Sequence, residues 1–186
     1  MKNKKEPMAE QLKTGILDEL SATEAFLILK ILADENENIR ERILQIAKEH
    51  LGDIDIEAVA SEIYSELESI DVEDLWENSG ATQYDYVEPT EVAWEIVENT
   101  VRPFIENLNR YRRLFLKEKS KIYCKGLLKG LYKFDKEAKT QFKDWATDAP
   151  MEYFGIVLEE WKKWEKSKKE IGEIELFVKE NFPDRK

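Results

Sequence analysis

Apolar residues in this chain return every three or four positions, segment after segment, a period that suits helices and not strands. Phe26, Leu29 and Ala33 mark one stripe, Ile39, Ile43 and Ile46 a second, and Ile56, Val59, Ile63 and Leu67 a third. Capping residues punctuate the stripes. Ser21 and Glu24 have the spacing of a capping box, Asp34 and Glu37 suggest the next helix start, Gly52 stands where a left-handed residue ends a helix, and Asp55 can cap a third. A short helix is expected from Val72 to about Asn78. Gly80, Thr82, Asp85 and Pro89 make the following segment a loop. Thr90 is expected to cap a long helix that Pro103 kinks or restarts. Further helical stripes run from about Glu118 to Phe134, through Ala138, Phe142 and Trp145, through Phe154 to Trp164, and through Ile171 to Val178. With no convincing alternation, the expected fold is all-α, an irregular helical bundle or a short α-solenoid of antiparallel helix pairs. Trp94, Leu128, Leu131, Phe154 and Trp161 are the expected core.

The 186 residues suit one domain, or at most two small ones. Residues 1–17 lack clear periodicity and read as a disordered N-terminal segment, and residues 18–186 as a single all-α domain. Five Trp, seven Tyr and eight Phe supply enough apolar surface to bury, despite a charged fraction of 37%. A single cysteine forms no internal disulfide, no signal-peptide core follows Met1, and no run approaches the length of a membrane span. A cytoplasmic location away from membranes is the expectation.

The net charge of −11 conceals an asymmetry. Residues 18–98 hold 23 acidic and 4 basic residues, a balance of −19, whereas residues 102–143 hold 13 basic and 4 acidic, a balance of +9. Lys117, Lys121, Lys125, Lys129 and Lys133 stand four apart and form a slowly winding helical ridge, with Arg110, Arg112 and Arg113 just before it. Such a ridge is either a solvated edge or a contact for an acidic protein, a second copy or, less well, nucleic-acid phosphates. Tyr84 and Tyr86 in the loop are a second candidate, because paired tyrosines can anchor an interface. The partner-binding candidates are therefore Arg110, Arg113, Lys117, Lys121, Lys125, Lys129, Tyr84 and Tyr86.

Two segments resemble helical-repeat families. Leu32, Asp34, Ile39 and Arg40 resemble the turn and second helix of a HEAT repeat over residues 21–52, in which the Asp and Arg link neighbouring turns. Gly126, Ala138, Phe142 and Pro150 fall on the spacing of a tetratricopeptide repeat over residues 119–150, although Lys125, Lys129 and Trp145 depart from it. The resemblance implies a protein-interaction module.

Catalytic signatures are absent. Cys124 and His50 are single residues of their types, too few for structural zinc, and no second histidine exists to build a partner network around the thiol. Glycine-rich phosphate loops, a serine elbow, a Glu-x-x-His di-metal pattern and an EF-hand loop are missing as well. The chain therefore reads as a non-catalytic interaction module without cofactor or metal. A nucleic-acid-associated or regulatory role for residues 102–143 is the alternative.

Overall fold

The computed structural model describes residues 15, 18–81 and 86–184. The fold is all-α apart from one minimal two-stranded ladder. The chain divides into two compact units at Gly52, residues 1–52 and 53–186.

The first unit contains the helical hairpin α1 (Ala22–Glu35) and α2 (Glu37–His50). Ser21 and Glu24 form the expected capping box, with the Ser21 amide donating to Glu24 Oε2 at 2.9 Å. Asn36, not Asp34, caps α2: its Oδ1 accepts from the amides of Asn38 at 2.9 Å and Ile39 at 3.4 Å. An amide side chain in extended backbone between two helices satisfies two free donors at once. Arg40 ties the turn together, reaching Asp34 at 3.4 Å and Glu37 at 2.9 Å. Gly52 has a φ of +63°, the left-handed stop that its position implied.

Among its described residues the second unit packs six helices: α3 (Ile56–Glu68), α4 (Val72–Asn78), α5 (Pro89–Arg113), α6 (Lys117–Glu137), α7 (Ala149–Trp164) and α8 (Lys168–Asn181). Between α4 and α5, Gly80–Ala81 pairs antiparallel with Tyr86–Val87. A 3-10 turn, Phe142–Trp145, replaces the helix expected there, and over residues 119–150 the chain runs as α6 to Glu137 and then as this turn. Helix α5 begins at Pro89 and passes unbroken through Pro103. One turn before that proline, the Thr100 hydroxyl donates to the Ile96 carbonyl at 2.9 Å.

Helix α6 lies at the centre, packed against α3, α5, α7 and α8. Leu127, Leu128, Leu131 and Phe134 on it join Ile63, Leu67, Leu108, Phe154, Trp161 and Ile174 in a fully buried core. Trp94 departs from expectation: it is half-buried, packed against the core's edge.

The closeness of α3 to α6 rests on two glycines. A Cβ at Gly126 would sit 2.7 Å from Val59 Cβ and 2.9 Å from the Ile56 carbonyl. One at Gly130 would sit 2.1 Å from Ile63 Cγ2 and 2.6 Å from the Ala60 carbonyl. Backbone cannot yield there as a flexible side chain would. The helical Gly155 and Gly172, by contrast, have nothing within 4 Å of the same position.

These four glycines give opposite expectations. Gly130→Ala is expected to destabilise the protein by about 1–3 kcal/mol through overpacking, with Gly126→Ala smaller in the same direction. Gly155→Ala and Gly172→Ala are expected to stabilise it by about 0.5–1 kcal/mol through helix propensity. Chemical denaturation of the four variants checks this, and equal signs at all four positions would contradict the packing.

Candidate functional site

Residues four apart on a helix advance about 40° per step, so the lysine ridge of α6 turns from one neighbour to another. Lys117 at its start is exposed. Lys121 is buried at 8% exposure, and its ammonium meets Glu118 at 3.1 Å and, on α8, Glu170 at 2.9 Å and Glu173 at 2.7 Å. Half-buried Lys125 stands 5.3 Å from the centre of the Phe177 ring, also on α8. Lys129 then pairs with Glu57 on α3. Lys133 lies 4.8 Å from the centre of the Tyr64 ring of α3 and 3.9 Å from Glu137.

Four of the five lysines therefore hold neighbouring side chains, all four reaching across to other helices, and the series does not form an open solvated edge. Replacing Lys121, Lys125 and Lys129 together by Glu is therefore expected to perturb the fold as well as the surface. Glu at position 121 would add a carboxylate to three already converging there.

Burial opposes the Lys121 charge, but the hydrogen bonds it donates to Glu173, Glu170 and Glu118 outweigh it and hold its pKa above the ordinary lysine range. The hydrogen bond from Lys121 in turn holds the Glu173 carboxyl below its usual range.

Arg112, just before the ridge, is buried at 3% exposure. Its guanidinium carbon lies 5.1 Å from the Trp161 ring centre and 5.3 Å from that of Trp164, and Nη1 donates to Asn109 Oδ1 at 2.9 Å. Planar guanidinium on indole is a favourable stack. Burial pushes the pKa of the group down. Arg112 thus pins the end of α5 to α7.

What stays open is the turn from α5 to α6. Arg110, Arg113 and Lys117 are exposed there, together with Leu114 at 39% and Phe115 at 82%. The turn is a Schellman motif: the Leu116 amide donates to the Tyr111 carbonyl at 3.0 Å, and the Phe115 amide to that of Arg112 at 2.9 Å. Leu116 tucks into the core while Phe115 takes the left-handed position with φ of 55°. Glycine suits that position, because a side chain there crowds the backbone. An exposed aromatic ring held in costly backbone, with three exposed cations within five positions of it in the chain, is the most distinctive surface feature of this unit.

Among the clefts that the described residues form elsewhere in the same unit, three bear on function. One of about 490 Å3 between α3 and α5 is lined by Glu62, Glu66, Asn99 and Asn107, and one of about 400 Å3 by Glu91, Trp94, Glu95, Glu98 and Tyr153. The third, about 600 Å3 between α7 and α8, is apolar, with Phe154, Leu158 and Val178 inside and Lys162 beside Glu175 at its rim, 3.4 Å apart. Cys124 is fully buried, and burial pushes its thiol up to about 12, so it is neither accessible nor ionised at neutral pH.

Of the tyrosine pair, Tyr86 is exposed in the short ladder, and Tyr84 lies outside the described residues. So does the segment 1–17 apart from Gly15. Among the described residues no three His, Cys, Asp or Glu side chains are grouped to hold a metal ion, and no helix is long and apolar enough to cross a membrane. Comparison with known proteins finds no matching family model, no matching curated protein and no matching solved structure.

The Lys121 cluster gives the chain a pH signature. Because the Lys121 pKa is raised on folding, its contribution is complete below the unfolded value of about 10.4 and is lost as pH rises through the folded value. Because that of Glu173 is lowered, its contribution is present above about 4.3 and is lost as pH falls through the folded value. Thermal melts of wild type and Lys121→Met across pH are expected to differ most near neutrality and to converge at both extremes. A difference that does not change with pH would contradict the account.

Proposed function

We propose that the chain is a non-catalytic helical interaction module whose contact point is the α5–α6 turn, and that its partner is a protein offering an apolar pocket rimmed by carboxylates. The observation that carries this reading is Phe115. At 82% exposure it adds little to the core, yet its left-handed backbone costs stability that glycine would return. Strain held at an exposed position is more often found at contact sites than elsewhere. Arg110, Arg113 and Lys117, exposed on the same turn and the helix ends beside it, supply positive charge that steers an acidic partner and weakens with salt. An aromatic anchor with an arginine rim is also the composition that dominates binding hot spots.

The alternative of a nucleic-acid contact along residues 102–143 draws less support. It needs a continuous basic track, whereas Lys121, Lys125, Lys129 and Lys133 are engaged with side chains of the same unit.

The test is the opposite response of stability and binding to one substitution. Phe115→Gly is expected to stabilise the fold by about 1–2 kcal/mol while abolishing capture of the partner that wild type retains at moderate salt. Arg113→Glu should weaken the same capture, most strongly at low salt. A Phe115→Gly protein that is more stable and captures the same partner equally well would reject the turn as the contact.

A further inference from the structure

The hairpin of α1 and α2 poses a separate problem. Helix α1 reads Ala-Thr-Glu-Ala-Phe-Leu-Ile-Leu-Lys-Ile-Leu-Ala-Asp-Glu, and Lys30 is the only charge from Ala25 to Ala33. A helix apolar all round belongs inside a bundle. Yet no residue of α1 is buried, and Phe26 is 68%, Leu27 56% and Leu29 47% exposed. Two 14-residue helices gain too little from hydrogen bonding alone to persist in water, so packing must supply their stability. Within the hairpin, α2 covers one side of α1 and leaves the other to something else.

We propose that a second copy of this chain covers it, the two hairpins forming a four-helix bundle about a two-fold axis. Size and charge together favour this occupant. Nine large apolar side chains of α1 and α2 are each 37–68% exposed. Their open surface is on the order of 800 Å2, about the share that one partner of a stable interface buries.

Charge separates the hairpin from the rest of the chain. Residues 21–51 hold 6 acidic and 4 basic residues, a balance of −2, so two hairpins meet with little repulsion. Residues 53–98 hold 15 acidic residues and no Lys or Arg, so the acid-rich stretch that follows is unsuited to self-contact. A patch that pairs with its own copy closes on itself and yields a dimer, not a filament. Two helices of equal length joined by a short turn, as α1 and α2 are, supply half of a four-helix bundle.

Sedimentation of the full chain over a wide concentration range tests the proposal. Wild type is expected at twice its chain mass of 21.9 kDa, and Phe26→Asp at the single-chain mass. Because Phe26→Asp can also unravel the hairpin, a milder variant provides an independent reading. In Phe26→Cys carrying a nitroxide label, the buried native Cys124 stays unreacted, and dipolar coupling between the two labels is expected at a short distance across the dimer axis. Wild type at the single-chain mass throughout would overturn the proposal. So would a dimer whose labels show no coupling, or one that survives Phe26→Asp.

Discussion

Helix α6 meets α3 nearly backbone to backbone, because Gly126 and Gly130 place no Cβ between them. Four residues apart, the two glycines lie on one face and form a flat strip into which Val59 and Ile63 settle. Close approach multiplies dispersion contacts along both helices and leaves no room for water. Leu127, Leu128 and Leu131, interleaved with the glycines, then point toward the remaining helices and gather the core. The central position of α6 follows from having both a face without side chains and a face rich in leucine.

The same contact decides what becomes of the lysines. With α3 drawn in along the glycine strip, Lys129 and Lys133 at its border are brought beside Glu57 and Tyr64. On the preceding turns, α8 delivers Glu170, Glu173 and Phe177 to Lys121 and Lys125. The lysine ridge is thus spent largely within the unit, while Arg110, Arg113 and Lys117 remain exposed about the turn where α5 hands over to α6. That turn combines a good helix ending with the wrong residue for it, which is why Phe115 matters more to the functional reading than the longer lysine series.

Much of the fold was legible because it depends on local rules. Helical period, the Ser21 box, the Asp55 cap and the Gly52 stop are each set by residues within one or two turns. The shift of the α2 cap to Asn36 shows the limit of that logic, since several polar residues compete for a cap and only backbone geometry selects one. The lysine ridge was visible as spacing, but its partners on α8 stand about 50 positions away, so no local pattern distinguishes a solvated lysine from Lys121. Gly126 falls on a repeat-like spacing and Gly130 does not, yet two glycines four apart in a helix are the available signal for close packing. The exposed turn carried a signal too. Arg113 to Lys117 joins two helices without any glycine, so some bulkier residue had to adopt the left-handed conformation.

The two units divide the labour differently. Residues 53–186 hold a complete core and present one strained aromatic, whereas the α1–α2 hairpin presents apolar surface that its own two helices leave open. Contact between the glycine strip and α3 underlies everything said of the larger unit, and a double-mutant cycle between Gly130→Ala and Ile63→Ala measures it most directly. Each substitution alone is expected to destabilise, one by crowding and the other by leaving a cavity. Together they are expected to cost less than their sum by about 1 kcal/mol or more, because removing Ile63 Cγ2 makes room for the new methyl group. Strictly additive costs would contradict the account, since they would mean that Gly130 and Ile63 do not share the space described.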